Sequence, residues 1–588
     1  FPGWKTSTNG IKNIEDFAND DFFESPIDKQ ISANQGREDV PYSEISSAVT
    51  LNACKLIPTH FAKSINYNTR LKSGEDVDYW TRLVNEFEPK FCCVEESSAS
   101  TYFRRVRDNS VSRQPESFEF NVKQRLEVVS ELEKIKAQKH LESFVRSKIN
   151  AQLGFVNRYL VKYPEKWSEF RVEAESLRLG MQTFQYVNKG LSKTLVISYC
   201  FPPYIDTAGI VCAKRIIKAN RPVDVISNSM QKIRQVDPAL LGIVNPYIGV
   251  HTEIKDSPSF SNWNAIKAFC EKALKIAEAN ISKYTEIFSR SMWPASHFAA
   301  ALIKMRNPHL KWTAEFSDPL LVDIHGNNRT CEIDSDWLSS NGFLEAIDKK
   351  GFSIEKNSLL FYWCEMLPYI FANECVFTNH SQKAYMLRMV KDKNLIAKVE
   401  REALVSQHPT LPRKFYELSH YEYSVDKTTI NIAYFGSFYA IRGVGEILGA
   451  LSKLENDKKR HFRFHIFTQD PDSISLSDEV QENVVLNKMV PYLDFLSVSN
   501  NFDCLIVNDA QTKGFKWVNP YLPSKLSDYR GSNAAIWALF EEGSELEKVI
   551  KQGAIEYHST LGNSQTSKME LLKLLTNKEK LRGASYAI

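Results

Sequence analysis

Ile430-Asn431-Ile432-Ala433-Tyr434-Phe435-Gly436-Ser437-Phe438, followed by Arg442-Gly443, is a short apolar run rich in strand formers that breaks at a glycine. A second stretch has the same character: Lys193-Thr194-Leu195-Val196-Ile197-Ser198-Tyr199-Cys200-Phe201-Pro202-Pro203, running on to Thr207-Ala208-Gly209. Each is followed by a helical pattern. Each reads as the first strand of a doubly wound sheet, with a glycine where the backbone comes close to a ligand or a neighbouring element. Two such starts, far apart in one chain, imply two facing Rossmann-like domains.

The rhythm outward from these starts fits. Val223-Asp224-Val225-Ile226, Lys311–Phe316 and Cys375–Asn379 read as strands, and Asn262–Asn280, Phe298–Met305 and Gln382–Val390 as helices. Gln407-His408-Pro409-Thr410-Leu411-Pro412 reads as an interdomain linker. Beyond it, Phe462–Thr468, Val484–Leu486 and Cys504–Val507 supply further strands. Alternating strands and helices favour parallel sheets covered on both faces. The expected fold class is therefore α/β. The expected division is an accessory region over 1–190, helical from about 121, then Rossmann-like domains over 191–425 and 426–588. Within the accessory region Val122, Leu126, Val129 and Leu132 share one helical face, which Phe144, Ile149, Val156 and Leu160 continue. Such a stripe packs onto a core. The alternatives are a homo-oligomer or an assembly partner through residues 121–187, or peripheral contact with a membrane.

Asn519-Pro520-Tyr521-Leu522-Pro523-Ser524-Lys525-Leu526-Ser527-Asp528-Tyr529 carries the most chemistry. It puts a lysine, a serine and a carboxylate in a turn and first helical turn before Ala534–Leu539. A cation at an exposed helix N-terminus suits a phosphate, and an acid a few residues on suits a ribose. The plainer reading is a surface helix capped by Ser524.

Phe201-Pro202-Pro203 with Gly209, Phe435-Gly436-Ser437 with Arg442-Gly443, and Pro523–Tyr529 come in an order and spacing that resembles the GT-B glycosyltransferases of the group-one, or family-four, type. The resemblance covers roughly residues 193–560. It implies a metal-independent enzyme with no cofactor. Such an enzyme moves a sugar, with retention, from a nucleotide-sugar donor to a hydroxyl of a glycan or lipid-linked acceptor, in surface polysaccharide or glycoconjugate assembly. It also implies a cytoplasmic location, with the inner face of the membrane as the alternative. The family carries two glutamates separated by seven residues; here those positions hold Pro520 and Asp528. Its Gly-x-Pro-Val is replaced by Asn533-Ala534-Ala535-Ile536. The missing first glutamate motivates a second hypothesis, a catalytically degenerate GT-B scaffold of a glycan-assembly complex.

Ligands of open parallel sheets gather beyond the carboxyl ends of the strands. That rule selects Gly209, Gly436 and Ser437 as donor-binding candidates. Arg442 and Lys525 are expected on the diphosphate, one as a fork and the other as a point charge. By the resemblance Arg442 stands in the family's Lys-Gly position and Ser437 in that of its upstream arginine. Asp528 is the candidate for the ribose hydroxyls, with Tyr529 beside it. In the first domain Glu315 and Asp318, in Glu315-Phe316-Ser317-Asp318-Pro319, are the candidate catalytic carboxylates that accept a proton from, or orient, the acceptor hydroxyl. His325 is the alternative. Each has a structural alternative: a turn for Asp318, a dipole-favoured first-turn acid for Asp528, a core side chain for Tyr529.

Composition bounds the rest. The 588 residues are 43% apolar and 25% charged, as in an ordinary globular protein of two to three domains. A formal charge of +3 with no long basic run offers nothing to nucleic acid. Ten scattered cysteines without a Cys-x-x-Cys pair suggest reduced cytosolic thiols. Asp334-Ser335-Asp336 matches an Asp-x-Asp metal motif, but one such tripeptide is expected by chance in a chain this long, and no metal is expected. The chain begins Phe1-Pro2-Gly3, which is no signal peptide and, lacking a start methionine, suggests a trimmed fragment. The most apolar run, Leu359–Ala372, holds Glu365 and Pro368 and reads as a buried helix. A nicotinamide dehydrogenase is disfavoured because neither first turn shows Gly-x-Gly-x-x-Gly.

Overall fold

The computed structural model describes residues 3–7, 25–53, 55–95, 97, 100–105, 115–436 and 445–578. The chain forms two compact units, Phe1–Leu191 and Ser192–Ile588.

The first unit is mainly helical. Two short strands, β1 (Gly3–Ser7) and β2 (Thr101–Arg105), pair in parallel. The apolar stripe is its core: Val122, Leu126, Val129 and Leu132 are fully buried, as are Val156 and Leu160 on the 21-residue helix α1 (Glu142–Lys162). The same helix carries Lys148 into the interior. Its Nζ donates to the Ser46 carbonyl, to Ser46 Oγ at 2.8 Å and to Thr50 Oγ1 at 3.5 Å. No ion pair reaches it among the described residues, and burial lowers its pKa to about 7.

The second unit holds two all-parallel sheets. The first has the order β5-β4-β3-β6-β7-β8-β9. Its strands are β3 (Thr194–Ile197), β4 (Val223–Asn228), β5 (Ile248–Ile254), β6 (Glu286–Ser291), β7 (Lys311–Phe316), β8 (Glu374–Phe377) and β9 (Ala403–Val405). The second has the order β12-β11-β10-β13-β14-β15. It is built from β10 (Ile430–Phe435), β11 (Phe462–Thr468), β12 (Val484–Lys488), β13 (Cys504–Asn508), β14 (Ala535–Phe540) and β15 (Tyr557–Thr560). In each sheet the direction of winding reverses beside the first strand, which is the Rossmann order. The two Rossmann-like domains expected from the sequence, the GT-B arrangement, are present.

The sequence explains the strands. β3, β10 and β13 are wholly buried and mostly apolar, as parallel strands covered on both faces are. Ala534–Leu539 forms most of β14. The short helix before it ends at Tyr529. β5, β6, β9 and β15 were not legible beforehand. β6 shows why: it carries Ser289, Arg290 and Ser291, all buried, and so does not read as a core strand.

Helices position the cleft-side loops. After β3 comes α2 (Thr207–Ala219), after β6 α3 (Ala295–Arg306), and before β8 α4 (Leu360–Phe371). Every residue of α4 is buried, including Glu365 and Pro368. No described helix is long and apolar enough to cross a membrane. After β8 comes α5 (His380–Leu387), before β13 α6 (Tyr492–Val498), before β14 α7 (Lys525–Tyr529), and after β14 α8 (Glu545–Lys551). The segment after the linker is bound to the second domain. Asn500 donates to the Tyr416 carbonyl at 3.0 Å and Tyr423 Oη meets His465 Nδ1 at 2.8 Å.

Candidate functional site

The loops at the carboxyl ends of both sheets meet along a seam within the second unit, and polar groups close it. Lys214 Nζ, on α2, reaches Ser527 Oγ at 3.0 Å and Asp528 Oδ1 at 2.5 Å on α7. Asn379 Nδ2, capping α5, donates to the Pro520 carbonyl at 3.0 Å. Ser381 gives its backbone N–H (3.0 Å) and Oγ (2.6 Å) to Glu545 Oε1 at the start of α8. Lys516 Nζ donates to the Asp323 carbonyl at 2.6 Å and to Tyr385 Oη at 3.2 Å. Its own burial lowers Lys516 to about 8, and the nearby positive charge of Arg329 works in the same direction.

Glu541, just past β14, shapes the second-domain loop that forms one lip. Its Oε1 accepts from the backbone N–H of Thr512 (2.6 Å) and Lys513 (2.7 Å), and its Oε2 from Thr512 Oγ1 (2.7 Å) and Asn519 Nδ2 (2.9 Å). Four donors on one buried carboxylate fix the segment that leads into Pro520–Ser524.

The donor-side candidates gather around Phe495 on α6. Its ring lies 4.8 Å from Phe435 at the end of β10, 5.9 Å from Tyr492 and 6.1 Å from Tyr529. Lys525 Nζ lies 4.9 Å from the same ring. The half-buried Lys525 and the β10 end, where Gly436 follows, are thus brought together. Asp528 is held in the same neighbourhood by Tyr492, whose Oη donates to Oδ1 at 2.6 Å. Both donors to this carboxylate, Lys214 and Tyr492, converge on Oδ1. No hydrogen bond reaches Oδ2 among the described residues, and the side chain keeps 10% of its surface exposed. The Asp528 backbone carbonyl accepts from Tyr416 Oη at 2.5 Å, which anchors α7.

Several expectations need correction. Ser437 and Arg442 lie outside the described residues. Ser524 makes no side-chain cap, and α7 is only five residues long. So the capped-helix reading fails, and little of a helix dipole is available to a phosphate there; what remains is the charge of Lys525. Tyr529 is fully buried core. Gly209 does not offer amides to a ligand: its N–H and that of Ala208 are taken by the Asp206 cap at 3.3 and 2.9 Å. Its smallness serves packing, because a Cβ there would lie 2.9 Å from the Cys200 carbonyl oxygen. Gly436 likewise ends the strand with its N–H on the Phe467 carbonyl at 3.0 Å.

Glu315 is not a free base. Arg215 grips both its oxygens at 3.0–3.1 Å, and Arg290 reaches Oε1 at 2.7 Å from the neighbouring strand. Both Arg290 and Glu315 are 1% exposed in their side chains. His325 sits exposed on a turn, with its ring 5.3 Å from Phe515. Asp318 is half-buried on the loop after β7 and adds its charge to the burial that pushes the Tyr521 hydroxyl up, so it faces the second domain. That loop is held by Glu365, which accepts from the N–H groups of Leu320 (2.7 Å) and Leu321 (2.9 Å); burial raises this acid to about 7.

Lys214, Tyr492 and Glu541 were missed. Lys214 had a readable signal: it is a lysine inside the apolar run Ile210-Val211-Cys212-Ala213 and Ile216-Ile217. Glu541 and Tyr492 had none without the fold. Among the described residues no group of three or more His, Cys, Asp or Glu is placed to hold a metal ion. The His461-x-x-x-His465 spacing falls on the start of β11, and His465 is taken up by Tyr423 and Asn431.

No family model matches the chain, and no curated protein matches it. Solved structures similar to it include the catalytic domain of starch synthase IV from Arabidopsis thaliana, bound to ADP and acarbose, at 11% identity, 67% of this chain, 94% of that chain and a TM-score of 0.43. WaaG, a glycosyltransferase of lipopolysaccharide biosynthesis, matches at 11% identity over 67% and 93% with a TM-score of 0.38. A UDP-GlcNAc 2-epimerase from Neisseria meningitidis, bound to UDP-GlcNAc, matches at 11% over 67% and 94% with a TM-score of 0.36. At these values the description of the architecture stands on the strand order of the two sheets.

Proposed function

We propose that residues 192–578 form a glycosyltransferase that takes a sugar from a nucleotide-sugar and passes it to a hydroxyl of a glycan or lipid-linked acceptor. The observation that carries this reading is the Asp528 carboxylate. It lies at the seam of two Rossmann-order sheets, with one oxygen fixed by Lys214 and Tyr492 and the other without a donor among the described residues. A carboxylate oxygen held in this way accepts a ribose hydroxyl. Lys525, three positions before it in sequence, supplies positive charge to the diphosphate, which is where negative charge grows as the sugar departs. Asp318, across the seam, orients the acceptor hydroxyl. The closed seam keeps water from the donor. Transfer with retention follows the resemblance of Pro523–Tyr529 to the group-one enzymes.

The test is a panel of nucleotide-sugars assayed for donor hydrolysis and transfer, with calorimetric titration alongside. The expected result is turnover of one donor, reduced about a hundredfold in Lys525→Ala with the fold intact. One observation favours a second reading. Pro520 stands where the family's first glutamate would lie, and its carbonyl is taken by Asn379. A scaffold of this fold binds no donor, so absence of binding across the panel selects it and contradicts the enzyme.

A further inference from the structure

Lys214 belongs to the first Rossmann-like domain, yet its ammonium is spent on the second. Its side chain is 2% exposed, and its hydrogen bonds go to Ser527 Oγ and Asp528 Oδ1. It sits two turns into α2, on the buried face that packs under the β3 loop, where an unpaired ammonium is costly. Asp528 in turn has its Oδ1 occupied from two sides, by Lys214 and by Tyr492 of its own domain. A carboxylate pinned through one oxygen has its plane and its second oxygen fixed in direction. Lys214 comes from one sheet and Tyr492 from the other, so the aim of the second oxygen depends on both domains.

We infer that Lys214 is a positioning residue that makes nucleotide recognition in the second domain depend on the first, by aiming Asp528 Oδ2 at the ribose from across the seam. This rests on the nucleotide-sugar reading of the same site. The role is separable from general support of the fold, because it acts through one ligand group, the ribose hydroxyls. An ordinary buried ion pair would alter stability and leave the discrimination between ribose and its deoxygenated forms unchanged. The inference also assigns the buried lysine of α2 to recognition across the seam, while its neighbour Arg215 serves the first sheet through Glu315.

The experiment titrates the full chain by calorimetry with uridine, adenosine and guanosine diphosphates and with their 2′,3′-dideoxy analogues. The native protein is expected to prefer one ribonucleotide over its dideoxy form by at least about tenfold. In Lys214→Met that preference collapses toward unity, while affinity for the dideoxy analogue changes less than about threefold. Lys214→Arg, which restores the charge, recovers part of the preference. If Lys214→Met does not fold, Lys214→Gln, which keeps a donor of similar reach without the charge, carries the comparison. Native-like preference in the folded variant overturns the positioning role and leaves the nucleotide-sugar reading standing. Failure of the native protein to bind any of the diphosphates overturns both.

Discussion

Glu315 and Asp528 are both acids that the sequence offers to the site, and both are buried beside cations, but they are used differently. Glu315 lies inside the first sheet, opposite Arg290 in the strand register, with Arg215 across both of its oxygens. Its acceptor capacity is consumed by its own domain. Asp528 lies at the seam, with one oxygen taken from both domains and the other without a donor among the described residues. Burial and charge pairing are shared; spare valence is not. A carboxylate that has an open oxygen and a partner on the facing domain is suited to a ligand. One that two guanidiniums enclose is suited to holding strands together.

The largest expected effect breaks the Glu315 side of the comparison. Glu315→Gln leaves Arg215 and Arg290 without a counter-charge in the interior, and the second unit should lose about 3–5 kcal/mol in urea unfolding. A loss below about 1 kcal/mol would mean that water reaches the pair and that the acid is freer than its contacts indicate. Asp528→Asn sharpens the other side. It leaves the Lys214 ammonium, 2% exposed, without a counter-charge, so stability should fall here too, by about 3–5 kcal/mol. Ribonucleoside diphosphate affinity should fall about ten- to a hundredfold by calorimetry. The distinction lies in binding: an affinity that Asp528→Asn leaves unchanged would erase it.

The smallest effect concerns a third buried charge, which has no acid at all. Lys148 in the first unit is held near pH 7 in the folded state, far below the ordinary lysine value. Between about 7 and 10 the unfolded chain therefore binds a proton that the folded chain does not, so stability rises with pH across that window. The melting temperature of the first unit should climb by a few degrees from pH 7 to 9.5, and Lys148→Met should flatten that climb. An unchanged slope in the variant would assign the effect to other groups.

The fold was legible where strands are dominated by apolar and aromatic side chains. Thr194–Ile197, Ile430–Phe435, Lys311–Phe316 and Phe462–Thr468 announce themselves, and the first two carry the turns that define a doubly wound sheet. It was illegible where polar side chains satisfy one another inside. Arg290 and the serines of β6 look like loop residues until Glu315, His297 and Trp312 are seen to partner them. The site was half legible for a related reason. Local spacing marks Lys525 and Asp528, but the residues that decide what Asp528 has left to offer, Lys214 and Tyr492, come from distant segments. Sequence spacing likewise could not tell Gly209 as a packing glycine from a ligand-facing one, since the Cys200 carbonyl that it accommodates belongs to the preceding strand turn.

A crystal structure of the full chain soaked or grown with the nucleoside diphosphate that binds best tests the central claim most directly. The expected result is a ribose hydroxyl within hydrogen-bond distance of Asp528 Oδ2 and a diphosphate against Lys525, with Lys214 still on Oδ1. A nucleotide bound elsewhere, or one whose ribose leaves Asp528 Oδ2 untouched, would contradict the account.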